Sequence, residues 1–212
     1  MEFQKMKNEK NWTAMAEDFD ERQNYVVGDN SNTIIEQELL KLKNLQNTLE
    51  LGCGNGRYTK LLATVTNKII ATDVDEKMIN TATEKLKNTE NITFEVADCY
   101  QTSYNNNHFD TVFMGNLIHV VLEPQIALLE SRRILKKGGK LILLSFTIDG
   151  MTKANIEGLK KRYIEKFGEF PEINKPMLLK DLAELVSSHG FKIKEQKLLG
   201  AESKAMYLIA EK

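Results

Sequence analysis

Thr48-Leu49-Glu50-Leu51-Gly52-Cys53-Gly54-Asn55-Gly56-Arg57-Tyr58-Thr59-Lys60-Leu61-Leu62 is the stretch on which the reading of the fold turns. A short apolar run ends in an acid-bearing turn with glycine at positions 52, 54 and 56, and an apolar-periodic segment follows. That order reads strand, tight glycine loop, helix. Glycine is required where the backbone turns with positive φ or where a ligand touches the main chain without a Cβ in the way. A helix opening after the loop leaves free N–H groups pointing at whatever sits there. Spacing then sorts the nucleotide-type loops. A phosphate-cradling loop needs G-x-x-x-x-G-K-[ST], but Arg57 stands where its second glycine belongs. A dinucleotide fingerprint needs a small third residue at position 57 for close helix–strand packing, and the long Arg57 side chain opposes it.

What remains is G-x-G-x-G preceded by Leu-Glu-Leu, which resembles motif I of the class I S-adenosylmethionine-dependent methyltransferases. A glycine loop that merely turns the chain is the plain alternative on this stretch alone. Working downstream, Lys68 to Asp73 reads as a buried parallel strand ending in an acid, 21 positions after Gly52. A carboxylate there can accept hydrogen bonds from both ribose hydroxyls. Asp75 is better placed as the N-cap of the next helix, with Glu76 in its first turn. Asn91 to Val96 alternates as a third strand, followed by Ala97-Asp98-Cys99. Phe109 to Met114 is a fourth strand, left by Gly115-Asn116-Leu117-Ile118-His119. Pro124 opens a helix that Lys136-Lys137-Gly138-Gly139 is expected to close, with Lys140 to Phe146 as the fifth strand.

The resemblance implies S-adenosylmethionine as cofactor and assigns roles along these strand ends. Glu50, Gly52, Cys53, Gly54 and Gly56 fall at its methionine end, Asp73 on the ribose with Val74 beside it, and Asp98 and Cys99 on the adenine. Asn116 falls beside the methionine part. It also implies that aromatic-bearing N-terminal helices lid the site, which would place Tyr25 among the cofactor-binding residues and, with Trp12, against the acceptor; packing is the competing account for Trp12, Phe19 and Tyr25. His119 is the one histidine in this neighbourhood and hence the candidate general base, against a half-buried packing role among Leu117, Ile118, Val120 and Val121.

Upstream, apolar residues at 12, 15, 16 and 19 predict a helix, Gly28 to Asn32 a turn, and Thr33 to Leu42 a second helix. Downstream, residues 152–168 read as a helix, Leu178 to Val186 as an amphipathic one, and Phe191–Leu198 and Lys204–Glu211 as a strand pair. The expected fold is α/β, a doubly wound Rossmann-like seven-stranded sheet, mostly parallel with a reversed last strand and helices on both faces. One methyltransferase domain spans 1–212, with 1–45 as helical lid, 46–146 as cofactor-binding core, and 147–212 as substrate-side helices and strand pair.

Composition is that of an ordinary globular chain: 212 residues, 42% hydrophobic, 28% charged, net charge −1. Nothing in that balance points to nucleic acid. Two cysteines and three dispersed histidines make neither a disulfide framework nor a metal-ligand spacing, so no metal is expected. Met1 to Lys10 lacks the apolar core of a signal peptide and no apolar run reaches membrane-span length, so a cytoplasmic monomer or homodimer acting on a small-molecule methyl acceptor is expected. Two rivals stay open: an NAD-dependent oxidoreductase, and a non-catalytic S-adenosylmethionine-binding regulator or partner subunit.

Overall fold

The computed structural model describes residues 17–170 and 176–212. Its elements run α1 Phe19–Val27, α2 Asp29–Leu39, β1 Asn47–Leu51, α3 Arg57–Leu62, β2 Lys68–Asp73, α4 Glu76–Leu86 and β3 Ile92–Val96. They continue with β4 Phe109–Gly115, α5 Pro124–Ile134, β5 Leu135–Thr147, α6 Lys153–Phe167, α7 Leu179–Ser188, β6 Lys192–Leu199 and β7 Lys204–Glu211. Among the described residues the strands form one seven-stranded sheet in the order β3-β2-β1-β4-β5-β7-β6. Pairing is parallel from β3 through β5, and β7 runs antiparallel to both β5 and β6. The last strand of the chain is thus the reversed one, and it is inserted between β5 and the edge strand β6.

Alternation along the strands feeds two cores. Leu49 and Leu51 with Val112 and Met114 pack towards Leu128 of α5 and Leu182 and Val186 of α7. Phe113, Ile142 and Leu144 pack on the other face towards Ile35 and Leu39 of α2 and Tyr58 and Leu62 of α3. Because both faces are covered, central strands are continuous apolar runs, the pattern that made them visible in the sequence. The order reverses between β1 and β4, so the carboxyl ends of β1, β2 and β4 open on one crevice, where an open α/β sheet binds its ligands.

Three expectations are corrected. The turn over Gly28 to Asn32 is one residue, Gly28 at φ +87°, and α2 starts at Asp29 and ends at Leu39. Ser31 and Asn32 read as turn residues but are buried contacts: Ser31 Oγ accepts from the Ala201 and Ser203 amides at 3.1 Å each, and Asn32 Nδ2 donates to Asn24 Oδ1 at 3.3 Å. The Lys-Lys-Gly-Gly stretch does not close α5; it is the start of β5. Gly139 lies so close to its neighbours that a Cβ would stand 2.9 Å from the Lys136 carbonyl oxygen, and the Lys136 ammonium pairs with Asp110 at 2.8 Å. Trp12, and most of the helix expected around it, lies outside the described residues.

The polar segment between β3 and β4 is fastened from α5. Buried Glu130 accepts from the Thr102 amide (2.7 Å) and hydroxyl (2.6 Å), and pairs with Arg133 at 2.7 Å, which donates on to the Tyr104 carbonyl at 2.8 Å. Burial alone would raise the Glu130 pKa, but the Arg133 and Thr102 hydrogen bonds win and hold it below the ordinary value. Replacing it leaves a buried amide and hydroxyl without their acceptor, so Glu130→Ala should cost about 2–4 kcal/mol in urea denaturation at pH 7. A depressed carboxylate stabilises above its unfolded pKa and loses that contribution as pH falls through the folded one. The gap between wild type and variant should therefore narrow in acid; a gap independent of pH would show that the carboxylate charge is not what is lost.

Candidate functional site

The crevice is built from the β1–α3 loop upward. Gly52, Gly54 and Gly56 have φ of +70°, +53° and +84°, all in the left-handed region. A Cβ on Gly52 would lie 2.7 Å from Leu117 Cδ1, whereas a Cβ on Gly54 would meet nothing within 4 Å. Gly52 is therefore needed for packing against the β4 exit, and Gly54 presents bare backbone to open space. The loop is held from β2: the Cys53 amide donates to the Thr72 carbonyl at 2.8 Å, and the Gly54 amide donates to Asp73 Oδ2 at 2.9 Å. The other Asp73 oxygen accepts from the Asp75 amide at 3.0 Å. Asp75 itself caps α4, accepting from the Lys77 and Met78 amides, as its sequence position indicated.

A second carboxylate lies under the loop. Glu50 is 1% exposed, and its Oε2 accepts from the Thr59 hydroxyl at 2.6 Å. Burial raises its pKa to about 7, with the Asp73 charge adding to the effect, and burial likewise raises Asp73. Burial and these two acids push the Cys53 thiol far up, so it is no nucleophile. Beyond β3, the Ala97 amide donates to the Asp73 carbonyl at 3.0 Å, which brings Asp98 and Cys99 alongside. Asp98 Oδ1 accepts from the Tyr100 amide at 2.8 Å. Burial raises the Cys99 thiol to about 12, which fits a lining role over chemistry. Val74 and Val96, at the ends of β2 and β3, are 72% and 55% exposed.

A family model described as a methyltransferase domain matches residues 49–143, the stretch from β1 to β5 that carries this loop and both acids. That match identifies a methyltransferase domain in residues 49–143, and S-adenosylmethionine-dependent methyltransferases are the family to which the chain is similar. It is 27% identical over 116 residues to a ubiquinone/menaquinone biosynthesis C-methyltransferase of Saccharophagus degradans, covering 52% of this chain and 47% of that protein. It is 30% identical over 108 residues to a demethylmenaquinone methyltransferase of Staphylococcus carnosus, covering 50% and 45%. The chain thus spans about half the length of the curated relatives it matches. Among solved structures, a methyltransferase from Aquifex aeolicus superposes with a TM-score of 0.71 at 19% identity, covering 94% of this chain and 97% of that one. The cyclase SpnF superposes with a TM-score of 0.69 at 15% identity, covering 96% of each. That one scaffold carries both a methyltransferase and a cyclase shows that the fold does not by itself fix the reaction.

The family's cofactor is S-adenosylmethionine, and the donor set here fits it. Two carboxylates under one glycine loop favour a ligand with positive charge, which a sulfonium and an ammonium supply; a pyrophosphate would be repelled there. Asp73 retains acceptor capacity beyond the two amides it holds, and Val74 and Val96 are apolar side chains exposed at the ends of β2 and β3. Asn116 stands differently from expectation. At φ +57°, its amide nitrogen donates to Tyr58 Oη at 3.2 Å and its Oδ1 accepts from the Phe146 amide at 3.0 Å, so the side chain is engaged within the protein. Tyr25 is 46% exposed and its hydroxyl donates to Glu165 at 2.6 Å, a contact between α1 and α6. His119 sits on the turn after β4 with Nδ1 2.5 Å from Ser145 Oγ. The residue as a whole is exposed, while burial of its ring beside Ser145 lowers the imidazole below its ordinary value. The near-neutral base expected from sequence is therefore weakened by its surroundings.

Arg57 was read only as an exclusion, and the structure gives it a task. Its guanidinium donates to Asn24 Oδ1 at 2.6 Å and Asn32 Oδ1 at 3.0 Å and pairs with Glu36 at 3.7 Å. The residue that follows the glycine loop thus fastens α1 and α2 to it. Thr59 was also missed, although a hydroxyl in the first turn after a strand–loop unit is well placed to face an acid on that strand.

A buried acid with a raised pKa is a stability statement. The cofactor-free fold holds the Glu50 proton more tightly than the unfolded chain, so its stability falls as pH rises from the ordinary glutamate range to about 7 and is level above that. Glu50→Gln should remove this fall and make the cofactor-free protein more stable at pH 8 by about 1–3 kcal/mol, read by urea denaturation at pH 5 and pH 8. Equal pH dependence in both proteins would show that Glu50 does not titrate there.

Proposed function

We propose that this chain transfers the methyl group of S-adenosylmethionine to a small organic acceptor, with an electron-rich ring carbon of a reduced quinone as the acceptor class. The observation that supports the transfer most directly is the acid pair around an open glycine loop, Glu50 beneath and Asp73 bonded to the Gly54 amide, with Asp98 following on the next strand. The acceptor class is drawn from the relatives that carry quinone-biosynthesis names.

S-Adenosylmethionine carries its methyl on a positively charged sulfur, so the leaving group is activated before the protein acts. Asp73 would hold the ribose, Asp98 and the exposed valines the adenine, and Glu50 with the loop the methionine end. The protein's own contribution is then placement and exclusion of water, which can supply about 7–11 kcal/mol of a barrier. Leu117 and His119 supply the wall beside the loop. Residues 1–45 act as a cover, 46–146 as the cofactor core and 147–212 as the acceptor side. Support for this division comes from the α1–α6 contacts, in which Arg162 donates to the Val26 carbonyl at 2.9 Å and Phe19 meets Phe167 at 6.2 Å. No described helix is long and apolar enough to cross a membrane, and both cysteines are free. We place the protein in the cytoplasm as a monomer or homodimer.

Calorimetry with S-adenosylmethionine, its demethylated product and NAD tests the ligand, and binding of NAD alone would overturn the proposal. Asp73→Ala should weaken S-adenosylmethionine binding at least about tenfold. Because Asp73 also holds the Gly54 and Asp75 amides, Asp73→Asn, which keeps one acceptor, should bind with intermediate affinity. Unchanged affinity in both would remove Asp73 from the ribose role. Transfer of labelled methyl to a hydroquinone separates an enzyme from a binder.

A further inference from the structure

Ser145 lies fully buried on β5, and among the described residues its hydroxyl has a single hydrogen-bonding partner, His119 Nδ1 at 2.5 Å. That pairing fixes the tautomer of the ring. A serine hydroxyl carries one hydrogen to donate, and a buried donor left without an acceptor is strongly disfavoured. If Nδ1 carried a hydrogen, in the neutral or the charged ring, it would donate to Ser145 and strand the serine's own hydrogen. If Nδ1 is bare, Ser145 donates to it and both groups are satisfied. The neutral ring then carries its proton on Nε2. Burial, which lowers the imidazole to about 4, acts in the same direction by keeping the ring neutral at working pH.

The Nε2 edge makes no hydrogen bond among the described residues, and His119 keeps accessible surface. The turn that carries it is tied into the crevice at two points. Leu117 fills the space beside Gly52, with Cδ1 2.7 Å from where a Cβ would stand, and the Asn116 amide donates to the Leu144 carbonyl at 2.7 Å, one residue before Ser145. The donor therefore stands beyond the carboxyl end of β4 and beside Ser145 of β5, on the turn whose Leu117 packs against Gly52.

We propose that His119, oriented by Ser145, is a fixed Nε2–H hydrogen-bond donor that selects acceptors bearing an oxygen next to the atom to be methylated. The acceptor half rests on the methyl-transfer reading above; the tautomer half stands without it. For a hydroquinone ionised at one oxygen, the ring carbon beside that oxygen forms a bond to the methyl carbon as the methyl–sulfur bond breaks and its electron pair stays on sulfur. The ring carbon then loses its proton to water and the ring regains aromaticity. Negative charge leaves the oxygen during the bond-forming step, so a donor there binds the ground state at least as well as the transition state. Its effect belongs in KM, with little in kcat.

Two measurements test this. Long-range 1H–15N correlation spectra of 15N-histidine-labelled full-length protein at pH 7, with His119 assigned by its loss in His119→Gln, should show Nε2 protonated and Nδ1 bare. Ser145→Ala should move the His119 signals towards a tautomer mixture. A protonated Nδ1 in the wild type, or spectra unaffected by Ser145→Ala, would overturn the assignment. With 1,4-dihydroxynaphthalene kept reduced as probe, His119→Ala should raise KM about tenfold with kcat within about threefold, and His119→Gln, which restores an N–H donor, should bring KM back to within about threefold. An unchanged KM in His119→Ala would overturn the donor role. Failure of the wild type to methylate this probe would overturn the hydroquinone class, while the spectra still decide the Ser145–His119 pairing on their own.

Discussion

The hydrogen bond from the Gly54 amide to Asp73 holds the site in shape. It joins the end of β2 to the one glycine of the loop that faces open space, and it does so with a carboxylate that burial has already made costly to ionise. A charge-assisted bond of this kind offsets part of that cost. Beneath it, Glu50 carries its own desolvation and repels Asp73. Two acids are thus held close together, neither in an ion pair among the described residues: Arg57, the cation next to the glycine loop, is directed away towards Asn24, Asn32 and Glu36. Such a site is under electrostatic strain until a cation with hydroxyl donors enters, and that asymmetry separates a sulfonium cofactor from a dinucleotide more firmly than glycine spacing does.

The contacts between α1 and α6 are of a weaker kind. α6 contributes no buried residue, and its contacts with α1 are half-exposed: the Tyr25–Glu165 hydrogen bond, the Lys166 ammonium 4.8 Å from the Tyr25 ring centre, and the Arg162 bond to the Val26 carbonyl. Exposed polar contacts of this sort contribute little each, and elements that rely on them open at low free-energy cost. Arg57 differs, because its side chain is 12% exposed and it ties α1 and α2 to the glycine loop itself. α1 and α2 are consequently anchored at the glycine loop, whereas α6 is held to α1 by exposed contacts.

Most of the strands and the reversed last one were legible in the sequence, as was the glycine loop with an acid at the end of the next strand, because each depends on neighbours in the chain. Buried strands such as Lys68–Asp73 and the reversed Lys204–Glu211 declare themselves by their own residues, and the N-cap role of Asp75 follows from position alone. What escaped depends on distant partners. Lys136 to Gly139 look like a helix end until Asp110 of β4 and Lys212, the residue after β7, pair with them. Ser31 and Asn32 look like a turn until residues 201 and 203 and Asn24 bind them. Asn116 looks like a free amide until Tyr58 and Phe146 engage it, and no local pattern announces that Ser145 lies under His119.

That division bears on the chemistry. The groups around the crevice that sequence alone would nominate for proton or nucleophile work are shifted away from it: burial takes the Cys99 thiol up to about 12, drives Cys53 further, and takes His119 down to about 4. Glu50, the group brought near neutrality, is buried under the loop at the cofactor end and faces Thr59. A base at the acceptor would need both a matched pKa and reach to the proton it removes, and His119 fails the first while Glu50 fails the second. Methyl transfer from an activated sulfonium demands no such base when the acceptor is already electron-rich. The reaction proposed above then depends on holding two reactants in line, a task that would fall to segments distant in sequence: the Leu117–His119 turn, Ser145 on β5, and the paired helices α1 and α6.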